Sequence, residues 1–573
     1  MKPKKNILDI SNTIFNVFEH LSFIITALSI FMLVSFLSTQ AESYIIRILD
    51  YLFIFIIITK ILYALFQFFY TRDTQKTLTD LGIGIIFLVL FSWAMYLENK
   101  PIADLKILFG KFSILLRMII YLIYLLMSRE KLRTYLRSIR LNPAQTFSLG
   151  FIFLIFLGVW LLSLPYSTVK PIPFVDRLFT STSAVCVTGL ITVDTASQFT
   201  YFGKGVILFL IQIGGLGIMS FSTFLIILSG RRMDFYDRTM TLEMFNQKNF
   251  QTLRRVTVFM ILSTLIIELV GAVLIFFSVD GMEFWPKIFF SIFHSISAFC
   301  NAGFSTLSDG LVGFYSHINM NLIISSLIIL GGLGFPVILS FKDKILKKKR
   351  FSLHSKIVII MTISLIVFGM ITFMLGEYNY SLKDMGFGDK VLSSFFQSVT
   401  TRTAGFNTVD MGSLNVTTYL WMIFLMFIGA SPGSTGGGLK TTTFFSLLMI
   451  IYFFFKRSNK VSIFQRRIKN SVLIKAGALF FIRALIVFIA TMVLMYIENF
   501  SFISVLFEVV SAFSTVGLTA GITSSLGSAS KVIIILLMFI GRIGPLNILA
   551  SLSTQRKQED DALEYSEGDL IVE

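Results

Sequence analysis

Apolar residues in this chain fall in long, nearly unbroken runs separated by short polar or basic stretches. The runs lie at about 21–38, 48–70, 78–97, 107–127, 147–164, 202–229, 256–279, 318–340, 356–376, 415–455, 472–497 and 530–552. A helix crosses the hydrocarbon core with about 20 apolar residues, so the pattern predicts twelve spans. The 415–455 run is too long for one straight span and is interrupted midway. The first run follows the basic segment MKPKKNILD without a small-residue cleavage site, which reads as a retained span rather than a signal peptide.

From residue 147 onward the runs do not simply alternate with loops. After 147–164, 256–279, 356–376 and 472–497 comes a helical stretch too short to cross, ending at a glycine among small residues. The four segments read SAVCVTGLITVD (183–194), SAFCNAGFSTLSD (297–309), SVTTRTAGFNTVD (398–410) and SAFSTVGLTAG (511–521). Their shared glycines are Gly189, Gly303, Gly405 and Gly517. Residues 147–552 therefore contain four copies of one unit, span, half-helix, glycine turn, span, all running the same way.

The chemistry follows from the backbone. Irregular chain at membrane depth survives only inside protein or beside a watery cavity. Four equivalent re-entrant segments can ring one axis, and glycine lets each turn its carbonyls inward. A ring of carbonyl dipoles replaces the hydration shell of an alkali cation, and the half-helix C-termini add negative potential there. No carboxylate occupies the small-residue tetrads centred on these glycines, whereas a divalent ion would recruit Asp or Glu. The expected substrate is a monovalent cation.

Composition narrows the classes. Of 573 residues 55% are hydrophobic and 14% charged, against about 25% charged in soluble domains; mean hydropathy is +0.81. This excludes a soluble enzyme, a disordered chain and a nucleic-acid binder. The net charge of +17 sits in loops. Arg129, Lys131, Arg133, Arg137 and Arg140 fill one, and 231–255, 342–350 and 456–469 are similarly basic. The positive-inside rule makes these loops and both termini cytoplasmic. Cys186 and Cys300 lie in apolar surroundings as small buried side chains, and the four histidines lack metal-ligand spacing. No cluster of nucleophile, base and metal ligands appears, so no enzyme is expected.

In combination, QIGGLGIM (212–219), GGLGFPV (331–337), GASPGSTGGGLKTTTF (429–444), GRIGPL (541–546) and the four glycine segments resemble the Trk/Ktr/HKT superfamily of potassium transporters, closest to the bacterial TrkH/KtrB membrane subunit. The resemblance covers about 147–573. It implies an all-α polytopic membrane protein with four M1–pore helix–M2 repeats in fourfold pseudosymmetry, here preceded by about four extra transmembrane helices. The domains would be 1–146 accessory helices, 147–230, 231–341, 342–456 and 457–552 pore repeats, and 553–573 a cytoplasmic tail. It also implies potassium uptake across the cytoplasmic membrane, potassium as substrate with no covalent cofactor, a homodimer, and a cytosolic nucleotide-binding regulator of the RCK type. Residue by residue, the filter strands would be Val187, Thr188 and Gly189; Asn301, Ala302 and Gly303; Thr403, Ala404 and Gly405; Thr515, Val516 and Gly517, coordinating through backbone oxygens. A glycine in the first repeat resembles the potassium-selective members; relatives with serine there tend to pass sodium.

The break at 429–440 carries Gly429, Pro432, Gly433, Gly436, Gly437 and Gly438, which unwind a helix. Ser431, Ser434, Thr435 and Lys440 add polar groups at membrane depth, so the segment should line the path below the filter. The resemblance implies an intramembrane gating loop. Arg542, about twelve residues into the last span, is a costly intramembrane cation and matches the family's pore arginine, which resembles an electrostatic barrier. Glu268 is either an ion-pair partner or part of the pathway. Arg402 is expected to pair with a carboxylate such as Asp410 or Glu508.

Two segments remain. Lys106, Lys111 and Arg117 lack the every-third spacing of a voltage sensor, so 1–146 reads as a packing or dimer-stabilising bundle, with 128–140 at an anionic lipid surface. The acidic tail reads as a solvated terminus or, on the family pattern, a regulator dock. The main alternative function is sodium or non-selective monovalent cation transport through the same architecture. A secondary transporter would instead show inverted repeats.

Overall fold

The computed structural model describes residues 143–229, 250–348, 350–457 and 462–545, together with Ile58. The chain divides into two compact units. One, formed mainly by residues 1–140, holds few of the described residues, and the four spans expected before residue 143 lie outside them. The other comprises 141–162, 167–227 and 231–573; its described residues are mostly helical, with one short hairpin of two-residue strands, β1 (Ser462–Ile463) and β2 (Arg466–Arg467).

Its helices repeat one plan four times. In the first repeat α1 (Pro143–Leu162) leads to the half-helix α2 (Phe174–Cys186), the single turn α3 (Thr195–Gln198) and α4 (Tyr201–Ser229). The second has α5 (Phe250–Ser278), α6 (Phe284–Cys300), α7 (Ile318–Leu333) and α8 (Phe335–Lys347). The third has α9 (Leu353–Glu377), α10 (Phe387–Thr400), α11 (Val416–Phe427) and α12 (Thr441–Phe455). The fourth has α13 (Asn470–Ile497), α14 (Phe502–Ser514) and α15 (Ser528–Ile543).

The outer helices follow the bilayer's demands. Val258–Ser278, Leu353–Glu377 and Asn470–Ile497 are long and apolar enough to cross a membrane. They expose Leu269, Leu375, Phe481 and Phe488 outward, which suits lipid. The half-helices are different. Thirteen residues of α2 extend about 20 Å at about 1.5 Å each, short of the ~30 Å core. Their flanks are rich in buried hydroxyls, and those hydroxyls find carbonyls. Ser181, Ser295 and Ser398 donate to Ile155, Glu268 and Ile366 of the outer helices at 2.6 Å each. Gly158, Gly271 and Gly369 make that approach possible, since a Cβ on any of them would collide with the serine hydroxyl.

Half-helices also pack on the preceding repeat: α10 on α7, α14 on α11, and α2 on α15 of the last repeat. The apolar core follows the same plan. Phe293, Cys300 and Ala302 join the first repeat's cluster, Phe396 and Ala404 the second's, and Phe179 and Cys186 the fourth's. Contact between the first and last repeats closes the array into a ring.

The inner helices differ from the straight spans expected at 202–229, 318–340 and 530–552. The first breaks at Gly217 (φ 74°, ψ −175°). The second bends by 98° at Gly334, and α15 ends at Gly544 (φ 88°). Each breaking glycine follows another by three residues, at Gly214, Gly331 and Gly541. These earlier glycines sit against the carbonyls of Val185, Phe299 and Phe513, so closely that no Cβ would fit. In the third repeat, 428–440 takes the place of the break.

Candidate functional site: a ring of four backbone hairpins

Each half-helix ends on a left-handed residue. Val187 (φ 57°), Asn301 (φ 60°) and Thr515 (φ 52°) cap α2, α6 and α14. In each case the cap N–H and the next N–H bond back into the last turn, as with Thr188 to Ser183 at 2.8 Å, the double closure of a Schellman motif. Glycine is the usual residue there; a β-branched residue at φ > 0 costs roughly 1–3 kcal/mol. The third repeat reaches the same geometry later, at Thr403 (φ 73°), because α10 winds on through Thr401 and Arg402.

Two residues after each of these comes a glycine with positive φ: Gly189 (94°), Gly303 (69°), Gly405 (79°) and Gly517 (93°). An extended strand points successive carbonyls to opposite sides; a positive φ at every second residue turns them toward one side. A hydroxyl in the final half-helix turns pins each segment. Ser183 and Ser511 accept from the N–H of Gly189 and Gly517 at 3.1 Å. Ser297 and Thr400 donate to the carbonyls of Phe304 and Phe406 at 2.8 and 2.6 Å.

The four segments meet. A Cβ on Gly303 would lie 2.8 Å from the Ala404 oxygen, and one on Gly405 2.6 Å from the Val516 oxygen. One on Gly517 would strike the Thr188 oxygen, and one on Gly189 the Ala302 oxygen. The contacts run first to second, second to third, third to fourth and fourth to first repeat. All twelve residues expected as filter strand fall in this ring, and the eight that are not glycine, Val187, Thr188, Asn301, Ala302, Thr403, Ala404, Thr515 and Val516, are at 0% exposure.

The segment 429–440 packs against the helix breaks. Breaking α7 from α8 frees the Gly331 and Gly332 carbonyls, which accept from the N–H groups of Thr435 (3.3 Å) and Ser431 (3.1 Å). Gly433 in turn accepts from Phe335 N–H at 3.0 Å. Gly437 N–H donates to Thr515 Oγ1 at 3.0 Å, and Thr441 to Ser431 Oγ at 3.0 Å. Lys440 donates to Gly436 at 2.7 Å. Gly429 and Gly438 approach so closely that a Cβ on either would lie 2.7 Å from the other's Cα. Gly436 sits against Thr403 Oγ1, and Ser434 closes a turn onto the Ser431 carbonyl at 2.6 Å. Arg542, 6% exposed, donates Nη1 to the Thr435 carbonyl and Nη2 to the Gly214 carbonyl. One guanidinium thus joins the fourth repeat to the loop of the third and the broken helix of the first.

Two sequence expectations fare differently. Arg402 does not pair with Asp410 or Glu508: its Nε and Nη2 are buried without a hydrogen bond. Asp410 caps Gly412 at 3.0 Å, and Glu508 is taken up by Thr519, Ala520 and Thr523. Glu268 forms no ion pair among the described residues; it accepts from Gln212 at 3.0 Å and from Cys300 Sγ at 3.6 Å. Cys186 and Cys300 are free and buried, as expected.

The helices and the four mutually packed backbone hairpins are those of an all-α polytopic membrane transporter. Comparison with known proteins specifies the family. Residues 151–562 match the family model described as TrkH, cation transport protein. The Ktr system potassium uptake protein B of Bacillus subtilis is 40% identical over 441 residues, 76% of this chain and 98% of that protein. The potassium/sodium uptake protein NtpJ of Enterococcus hirae is 37% identical, over 76% and 98%. The crystal structure of the potassium transporter TrkH from Vibrio parahaemolyticus shares the fold, with a TM-score of 0.58 at 19% identity, covering 82% of this chain and 97% of that one. The chain belongs to the TrkH family of cation transport proteins and is not an enzyme.

Proposed function

We propose that this protein carries potassium across the cytoplasmic membrane, the ion shedding its water onto backbone oxygens of the four filter strands. The closed ring of contacts among Gly189, Gly303, Gly405, Gly517 and their neighbours' carbonyls carries this reading. It supplies oxygen dipoles from four sides without a carboxylate, which suits a large monovalent cation. Relatives named for potassium uptake, 36–40% identical, agree with it.

In this reading residues 429–440 and Arg542 form the gate beneath the filter. The loop's bonds bridge the second, third and fourth repeats, and the guanidinium places a positive charge on the cation's route. The repeats divide at 147–230, 231–341, 342–456 and 457–552, with 1–146 accessory and 553–573 a cytoplasmic tail. The basic loops and both termini face the cytoplasm, where the family pattern adds a second copy of the chain and an RCK-type regulator.

Complementation tests the proposal. Expression in a strain deficient in potassium uptake should restore growth at low external potassium, more strongly with an RCK partner present. Failure of a well-expressed protein to move potassium or rubidium overturns it. The second reading, sodium or mixed transport, draws on the relative named for both ions and on four filter triplets that all differ in sequence. Equal sodium and potassium fluxes would favour it.

A further inference from the structure

The four filter strands are not held equally on the side where the chain leaves the ring. The position nine residues before the filter glycine is Thr180, His294, Phe396 and Glu508 in the four repeats; the position two after it is Ile191, Ser305, Asn407 and Thr519. In the fourth repeat these two positions are joined. Glu508, 1% exposed in the half-helix α14, accepts from the Thr519 hydroxyl and from Ala520 N–H at 3.2 Å. Its other oxygen lies 3.0 Å from Thr523 Oγ1, which is 2.8 Å from Thr519 Oγ1. Thr519 also accepts from Gly521 N–H at 2.9 Å. One carboxylate gathers three residues of the departing strand, Thr519, Ala520 and Thr523.

The second repeat repeats the device with a neutral group. His294 Nδ1 meets the Phe290 carbonyl at 2.9 Å, so that nitrogen bears the proton. Nε2 then accepts from Ser305 at 3.1 Å. In the third repeat Phe396 cannot serve, and the adjoining Gln397 takes over. With its amide oxygen turned toward them it accepts from Thr408 and Val409 N–H groups at 3.0 and 3.2 Å. Among the described residues the first repeat has no such strut: Thr180 donates within its own helix to the Asp176 carbonyl at 2.9 Å, and Ile191 offers nothing polar.

We propose that Glu508 is a positioning residue that clamps the departing strand of the fourth repeat and thereby sets the ion preference of the ring. The proposal rests on the reading of the ring as a cation filter. A buried carboxylate is expensive unless several donors satisfy it, and here every donor belongs to the backbone or hydroxyls just beyond Gly517. The same strand is held from the opposite end by Gly437 N–H on Thr515 Oγ1. The second and third strands are tied at their entering ends too, Asn301 to Thr403 at 3.3 Å, but neutral groups hold their departing ends. The fourth is gripped there by a carboxylate with three donors, which leaves its carbonyls the least freedom to close around a smaller ion.

Full-length protein in proteoliposomes tests the clamp. Glu508→Gln keeps the side-chain volume but turns a donor toward Thr519 or Thr523. We expect the potassium-to-sodium flux ratio to fall about tenfold, with Thr519→Val doing the same and the double variant adding little. Thr519→Ser, which keeps the hydroxyl, should retain the wild-type ratio. A purely structural role would lower both fluxes together and leave their ratio unchanged. In parallel, amide exchange over 518–523 should quicken in Glu508→Gln while 304–310 stays protected. An unchanged ratio or unchanged exchange at wild-type yield overturns the proposal. Exchange is independent of transport, so a wild-type protein that moves no cation would defeat the filter reading while the strut is still judged.

Discussion

At the residue scale, the ring is a problem of missing side chains. Gly405 has φ 79°, and a Cβ there would sit 2.6 Å from the Val516 oxygen and 3.1 Å from the Gly303 Cα. Both strain and collision are backbone effects that no rotamer relieves. Gly405→Ala should therefore reduce rubidium uptake at least about tenfold, the left-handed penalty alone amounting to roughly 1–2 kcal/mol. A second residue lies outside the spans. Asp194 caps α3 through Ala196 and Ser197 N–H groups and binds the Ser197 and Ser308 hydroxyls, the last at 2.8 Å from the second repeat. Burial alone would raise its pKa, but these four hydrogen bonds outweigh it, and the net shift is downward. A lowered carboxylate contributes stability in full above its unfolded value, about 3.9, and loses it as pH falls through the lower folded value. Thermal melts of Asp194→Asn in detergent should be less stable at neutral pH and flatter below about pH 4 than those of the wild type.

At the element scale, the legible and the hidden features had different causes. The half-helices and their glycines were visible because four copies of one pattern stood in register. The unwound 429–440 was visible because six glycines and prolines crowd ten residues. The breaks at Gly217, Gly334 and Gly544 were not, since single glycines are ordinary in membrane helices. Their signal was the paired spacing, Gly214 with Gly217, Gly331 with Gly334 and Gly541 with Gly544, already present in the family motifs. The first glycine of each pair meets a half-helix carbonyl and the second reverses φ, so the reason is tertiary. The reason is tertiary for Arg402 as well: charge alone suggests a carboxylate partner, but Asp410 and Glu508 are committed to local N–H and hydroxyl donors. Arg542 bridges two of the interrupted elements. Arg542→Ala should fold, judged by yield and monodispersity, and raise potassium flux by removing a cation from a medium of low dielectric. Unchanged flux would remove it from the gate.

At the scale of the whole molecule, closure is the decisive property, and one ion pair marks the seam. Lys531 Nζ lies 2.7 Å from Asp176 Oδ1, with side chains 13% and 11% exposed. It joins the start of α15 in the last repeat to the half-helix of the first. Such a pair lies between the surface and buried cases, and Asp176→Asn should cost about 2 kcal/mol. Melting temperature would report it, and the exchange Asp176→Lys with Lys531→Asp should recover part of the loss. A variant as stable as wild type would show that packing of α2 on α15 suffices without the pair.

Because the four hairpins lie on one polypeptide, any coding change alters a single quadrant. In an assembly of four identical subunits the same change would land everywhere at once. Here the left-handed position is valine in the first strand, asparagine in the second and threonine in the third and fourth. Heredity can thus retune such a conduit by quarters, sampling intermediate ion preferences that a homotetramer would have to leap across.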